Sequence, residues 1–320
     1  MALEIINKTT QQEAYGELVT RAARYAETAT AANTRRAYSV ALARFIAWCD
    51  ANGVSATPAT PETVAAYITE MADTHSPATI DQHLAAISTA HRLAGHNSPT
   101  TAQIVKLTRK GLRIEKGTAQ RQARPISVPE LKAILAPLTD SPIDARDRAL
   151  ILIGFAGGMR RSELVALDVA DLEETPEGLR VTIRRSKTDQ EAAGRVIGIP
   201  YGQNLATCPV RALSAWLRAA GITEGPVFRS INRHAQISDS RLSAQSVALV
   251  VKARAEAAGI DPAKLSGHSL RAGLATAAAR AGVDERTIAR TTGHTGTTVL
   301  RRYIRDGELF THNAAASIGL

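Results

Sequence analysis

The chain holds 320 residues, 44% of them hydrophobic, which excludes global disorder and leaves room for two domains with separate cores. Aromatic residues supply only 4%, so those cores rest on Ala, Leu, Ile and Val, and the formal net charge of +9 favours a polyanionic partner such as nucleic acid. No apolar run reaches membrane-spanning length and the opening MALEIINKTTQQ lacks signal-peptide architecture, so a cytoplasmic protein with no membrane partner is expected. Cys49 and Cys208 each fall within an apolar helical pattern in different halves of the chain. That placing suits two buried thiols better than a disulfide or a metal framework.

In chain order, the front half is helical. A loose pattern from Gln11 to Thr28 precedes a strong one that opens at Thr34, carries Tyr38, Leu42, Phe45, Ile46 and Cys49 on one face, and stops at Gly53. Thr60-Pro61-Glu62 combines an N-cap, a proline at the first helical position and an early acid, and predicts a helix to about Asp73. Ser76-Pro77 repeats the device for a helix closed by Gly95, and Ser98-Pro99 opens a fourth that ends near Gly117. Together these predict an all-α domain over residues 1–115. Residues 116–126, with KGTAQRQARP, are polar, basic and aperiodic, which marks an interdomain linker.

Residues 127–320 are mixed. Ser127-Val128-Pro129-Glu130 is a capping box, and a helix from Asp144 to Phe155 carries ALILIGF, apolar enough for a central core. Alternating β-branched residues around Leu179–Ile183 and Arg195–Ile199 predict two strands joined by RRSKTDQEAAG. Helices are expected at Pro209–Ala220, Ser243–Ala258 and His268–Ala281, with shorter ones at Glu285–Thr291 and Thr297–Ile304. The fold class is therefore mainly α with a small β-sheet.

Chemistry concentrates in three places. Gly157-Gly158 break the chain just before Arg160, which a bend at the end of a core element would present with a fixed base. Lys187 sits in the strand-to-strand loop. In LSGHSLRAG, His268 and Arg271 stand three apart and share one helical face, while Leu270, Leu274, Ala277 and Ala278 form another stripe suited to a core. His294 follows Gly293, and Tyr303 comes nine residues later. Imidazoles, guanidiniums and a phenol can serve a phosphodiester as proton shuttles, cations and nucleophile. No carboxylate cage for Mg²⁺ and no Gly-rich phosphate loop stands out, so neither metal nor cofactor is expected.

The ordered set GMRRSEL, SKTDQ, HSLR, GH and a following Tyr resembles the tyrosine recombinase (phage integrase) family from about Thr34 to the chain's end. FIAWCDANG, TIDQHLAAIS, LSGHSLRAG and YIRD make it most similar to the Cre-like phage recombinases. The resemblance implies a SAM-like core-binding domain and a mixed α/β catalytic domain that clamp DNA in a C shape. Arg160 and Arg271 would hold the non-bridging oxygens of the scissile phosphate, and Tyr303 would attack phosphorus to leave a 3′-phosphotyrosyl link. Lys187 would protonate the leaving 5′-oxygen, His268 would exchange protons with the phenol, and His294 would hydrogen-bond the phosphate. Glu163 would orient the site. His294 stands where Cre-like proteins carry Trp, although His is the commoner choice in the family.

The resemblance also implies that Arg35, Arg36, Gln82, His83 and Gln245 contact DNA, and Gln82 suits adenine. Lys106, Arg109 and Lys110, with Arg113, stand at near-helical spacing that can track phosphates. The implied partners are double-stranded DNA with short inverted-repeat sites and three further copies of the chain, acting through a Holliday junction without ATP. The tail with Leu309, Phe310, Ile318 and Leu320 would be a helix donated to a neighbouring subunit. The segment before Thr34 looks too short for an arm-site-binding domain, which suggests a simple recombinase. Two alternatives stay open here: a type IB topoisomerase-like strand transferase, and a non-enzymatic basic DNA-binding protein.

Overall fold

The structure is a computed structural model that describes residues 17–18, 20–21, 24–25, 31–117, 124–186, 194–294 and 296–308. The chain divides into two compact units, residues 1–120 and 121–320.

In the first unit, the described residues between 17 and 25 are helical, and four helices follow: α1 (Ala32–Ala51), α2 (Pro61–Thr74), α3 (Pro77–Leu93) and α4 (Gln103–Lys116). Thr60 and Ser76 accept the backbone N–H groups of Thr63 and Thr79, which satisfies donors that a helix start leaves orphaned. Phe45, Cys49, Val64, Tyr67, Ile68, Ile80, Ile87 and Val105 fill the core. Ile46 is exposed, and Ala41 and Trp48 take the inward places instead. Ser98-Pro99 opens a 3₁₀ turn, Pro99–Thr101, and α4 starts only at Gln103 without a side-chain cap.

His83 departs from its expected role on DNA. On α3 it lies three residues after Ile80, one before Leu84 and four before Ile87, all buried, so helical geometry puts it on the core face. It is 4% exposed, and its Nδ1 is 2.8 Å from the Tyr67 hydroxyl. Burial pushes its pKa down and holds the ring neutral. Gln82, the neighbouring residue, is exposed.

The second unit contains α5 (Val128–Leu135), α6 (Pro142–Ala156), α7 (Arg161–Ala166), β1 (Leu172–Thr175), β2 (Gly178–Ile183) and β3 (Arg195–Pro200). It continues with α8 (Pro209–Ala219), β4 (Arg229–Ile231), β5 (Ile237–Arg241), α9 (Ala244–Ala257), α10 (Ser269–Arg280), α11 (Glu285–Thr292) and α12 (Thr297–Glu308). The sheet is antiparallel in the order β1-β2-β3, with Val181 facing Leu172 on one side and Ile197 on the other. β1, with sequence LEET, and the β4–β5 hairpin carry no apolar alternation, so periodicity did not announce them.

Helix α6 is the spine of this unit. Ala149 to Ile153 are all at most 3% exposed, as expected of a helix apolar on every side. It starts two residues before the expected Asp144, because Ser141 caps it by accepting the Asp144 N–H and Pro142 takes the first position. The capping box of α5 is present in full: Ser127 accepts from Glu130 N–H, and Glu130 accepts from Ser127 N–H. Cys49 and Cys208 are free thiols, both buried.

Candidate active site

The site begins where α6 ends. Gly158 takes φ +55°, and a Cβ there would meet the Thr292 methyl at 2.8 Å and Leu274 at 2.9 Å, so only glycine lets the chain turn this close to α10 and α11. Two residues on, Arg160 is the N-cap of α7. Glu163 Oε2 accepts the Arg160 backbone N–H at 3.0 Å, and Glu163 Oε1 accepts an Arg160 guanidinium N–H at 2.5 Å. One carboxylate thus caps the helix and aims the arginine that precedes it. Arg160 Nη2 reaches across to donate to Gly293 O at 3.2 Å.

A third cation joins them from β3. Arg195 Nη2 donates to Glu163 Oε2 at 3.0 Å, and its Nη1 donates to Thr291 O at 2.8 Å. The sequence offered no sign of this role, since Arg195 opens a strand and its partners lie 32 and 96 residues away. Arg195 also explains the glycine before His294. A Cβ on Gly293, which sits at φ +66°, would fall 2.6 Å from the Arg195 guanidinium carbon.

Arg271, in the first turn of α10, is 4% exposed and donates through Nη1 to Gly158 O at 2.9 Å and to Thr292 O. Burial, then repulsion from Arg160, lowers its pKa to about 10, which still leaves it charged at pH 7. Among the described residues, three guanidiniums set against the Glu163 carboxylate give the pocket a net positive charge. Two of its buried N–H groups, Arg195 Nε and Arg271 Nη2, have no hydrogen-bond partner among the described residues. Buried donors without acceptors are costly, and in a cationic pocket they mark a place for an anion.

His294 follows the left-handed Gly293 turn, with Nδ1 2.7 Å from the Thr292 hydroxyl. Burial, followed by the Arg271, Arg160 and Arg195 charges, lowers its pKa to about 4, so the ring is neutral at pH 7. The Tyr303 ring, half-buried on α12, has its centroid 6.2 Å from that of His294. Tyr303 packs against a small cluster of Ala275, Ala279, Ile288 and Leu300, which ties α12 to α10 and α11.

The structure therefore brings together Arg160, Glu163, Arg271, His294 and Tyr303. His268 lies exposed at the N-cap of α10, one turn before Arg271. Lys187 and the tail from Leu309 lie outside the described residues. Of the expected DNA contacts, Arg35, Arg36, Gln82, Lys106 and Lys110 are exposed on the first unit and Gln245 is exposed on the second. Arg109 is engaged with Asp81 at 2.6 Å. Among the described residues, no three His, Cys, Asp or Glu side chains cluster as metal ligands, and no helix is long and apolar enough to cross a membrane.

Arginines converge beside a phenol on a helical scaffold that carries two small antiparallel sheets among the described residues, and the chain is an enzyme that cleaves and rejoins DNA. The chain belongs to the phage integrase family, the tyrosine recombinases: residues 124–308 match that family and residues 17–92 match its N-terminal SAM-like domain. It is 41% identical over 299 residues to an integrase/recombinase XerD homolog of Selenomonas ruminantium, covering 92% of this chain and 87% of that one. It is 26% identical over 280 residues to the recombinase Cre of Escherichia phage P1, covering 81% and 80% of the two chains. In fold it resembles XerH recombinase bound to palindromic difH substrate after cleavage, with TM-score 0.61, 19% identity, and 80% and 72% of the two chains covered. A lambda integrase (75–356) dimer bound to a COC′ core site is similar, also with TM-score 0.61 and 19% identity, over 91% and 95%.

Proposed function

We propose that the chain is a site-specific recombinase in which Tyr303 is the nucleophile and Arg160 and Arg271 hold the scissile phosphate. The Tyr303 oxygen forms a bond to phosphorus as the bond from phosphorus to the 5′-oxygen breaks, leaving a 3′-phosphotyrosyl ester and a free 5′-hydroxyl. The ester conserves the bond energy, so rejoining needs no ATP. Negative charge gathers on the non-bridging oxygens during this displacement, and preplaced guanidiniums stabilise it without reorganising. Lys187 supplies the proton to the leaving oxygen, His268 exchanges protons with the phenol, and Glu163 keeps Arg160 in place. The observation that carries this reading is the pair of buried guanidinium N–H groups left without acceptors in a net-positive pocket next to Tyr303.

The proposal extends to the partners. Each unit contacts a duplex, with Arg35, Arg36, Lys106 and Lys110 on phosphates and Gln82 and Gln245 facing base edges. Four copies act on two short inverted-repeat sites through a Holliday junction, and the tail from Leu309 passes to a neighbouring copy. His83 leaves the contact set because it belongs to the core.

Genomic fragments trapped covalently on the protein should share one short sequence with an inverted repeat. Tyr303→Phe, which removes only the hydroxyl, should abolish the adduct while DNA binding persists. An adduct formed by that variant would assign the nucleophile elsewhere.

A further inference from the structure

Thr292 is the last residue of α11 and is fully buried. Its hydroxyl lies 2.6 Å from Ile288 O and 2.7 Å from His294 Nδ1. A hydroxyl carries one proton and a carbonyl oxygen can only accept. The Thr292 proton therefore goes to Ile288 O, in the back-bond that Thr makes to the preceding helical turn. Toward His294 the same oxygen can only accept, so Nδ1 carries a hydrogen. In the neutral imidazole, Nε2 is then the bare lone pair.

Among the described residues, the charges that act most on this ring are Arg271 on α10, Arg160 at the start of α7, Arg195 on β3 and the opposing carboxylate of Glu163. Tyr303 faces it from α12. Burial and the three cations favour the neutral form in the protein alone. A neutral ring of this tautomer presents a lone pair to a phosphate oxygen, and two acceptors repel.

We propose that Thr292 is a positioning residue that holds His294 as the Nδ1–H tautomer, so that capture of a phosphodiester by the arginines is coupled to uptake of one proton at His294 Nε2. The tautomer follows from the hydrogen bonds alone; the coupling rests on the phosphodiester reading given above. The balance is simple. One proton from solvent binds Nε2 as the phosphate enters, and the imidazolium then donates from both nitrogens, to Thr292 and to the phosphate. The anion's charge offsets the guanidiniums and raises the pKa of the ring in the complex. A pKa raised on binding favours binding at low pH, and the gain is lost as pH rises through the pKa of the bound ring.

Nitrogen-15 NMR of the histidine rings in the full chain without DNA tests the first part. Wild type and Thr292→Ser should show Nδ1–H at neutral pH. Thr292→Val keeps both branches of the side chain, including the methyl that packs over Gly158, but offers no acceptor, and its ring should shift to Nε2–H. An Nε2–H ring in the wild type would sink the proposal. Covalent-adduct formation on the captured DNA, followed from mildly acidic to alkaline pH, tests the coupling. At sub-saturating DNA, wild type and Thr292→Ser should fall by up to about tenfold per pH unit between the pKa of the free ring, about 4, and that of the bound ring, whereas Thr292→Val, able to donate from a neutral ring, should stay flat. Identical profiles for wild type and Thr292→Val would overturn the coupling. No adduct at any pH would remove the strand-transfer reading and the coupling with it, while the ring spectra still decide the tautomer.

Discussion

Two clusters of arginines and carboxylates in the second unit have opposite characters. Between α6 and α9, Arg146 and Arg254 meet Asp144 and Asp147. Arg146 donates twice to Asp147 Oδ1, at 2.9 and 2.7 Å, Arg254 Nε donates to Asp147 Oδ2 at 2.7 Å, and Arg254 Nη2 lies 2.7 Å from Asp144 Oδ1. Two cations face two anions, so the cluster is closed. At the mouth of α7, three arginines gather around the Glu163 carboxylate, and among the described residues two of their N–H groups stay open. The ingredients are the same, and the stoichiometry separates a staple from a site. A closed cluster stabilises one packing of two helices. An open one is costly in the protein alone and recovers that cost only with an anion in place.

The sharpest way to break the closed cluster is Asp147→Asn. The side chain is 4% exposed, and its loss of charge leaves two guanidiniums without a full counter-ion. Removing one partner of a buried pair costs about 3–5 kcal/mol. Thermal unfolding should move down by roughly 10 °C for a unit of this size. The rate of adduct formation per folded molecule should change little. A variant as stable as wild type would mean that water already screens this cluster.

Arg271→Lys makes the complementary cut in the open cluster. Lysine keeps the charge but lacks the planar fork, so it cannot satisfy Gly158 O and Thr292 O while also facing an anion. Adduct formation should fall by about 10²–10³-fold, the usual cost of one preorganised donor. Unfolding should shift far less than in Asp147→Asn, because one of three mutually repelling cations has been softened. A large loss of stability with an intact rate per folded molecule would make Arg271 a structural residue.

The same contrast explains what could be read before the fold was known. Helices with capping residues were legible because caps are local: Thr60, Ser76, Ser127 and Ser243 each bond a backbone N–H three residues on. Arg160, Glu163, Arg271, His294 and Tyr303 stood out as a motif set. Arg195 did not, because its meaning comes from contacts with Glu163 and Thr291 that no spacing encodes. His83 was misplaced for the opposite reason. Its motif suggested a DNA face, while its own neighbours Ile80, Leu84 and Ile87 already set it on the core stripe. Periodicity was the stronger physical signal there. Arg146 and Asp147 also sit inside the apolar α6, where composition argued for core; they pair with each other, and Arg254 from α9 adds a second cation to Asp147.

The smallest effect concerns Asp144, which closes the rim of the first cluster. Burial acts to raise its pKa, but hydrogen bonds from the Thr139 hydroxyl and backbone N–H, the Arg254 charge and the Ser141 contact outweigh it, and the net shift is downward. A carboxylate whose pKa is lowered by folding adds stability above its unfolded pKa and loses that contribution as pH falls through its folded one. Wild type should therefore be more stable than Asp144→Asn at neutral pH, with the gap closing in acid as Asp144 protonates. Denaturant unfolding of both proteins across that range measures the gap directly. Because Asp144 serves a closed cluster, its titration should leave the alkaline adduct profile untouched. A gap that stayed constant into acid would leave Asp144 only its hydrogen bonds from Thr139, without a share in the charge balance of Arg254.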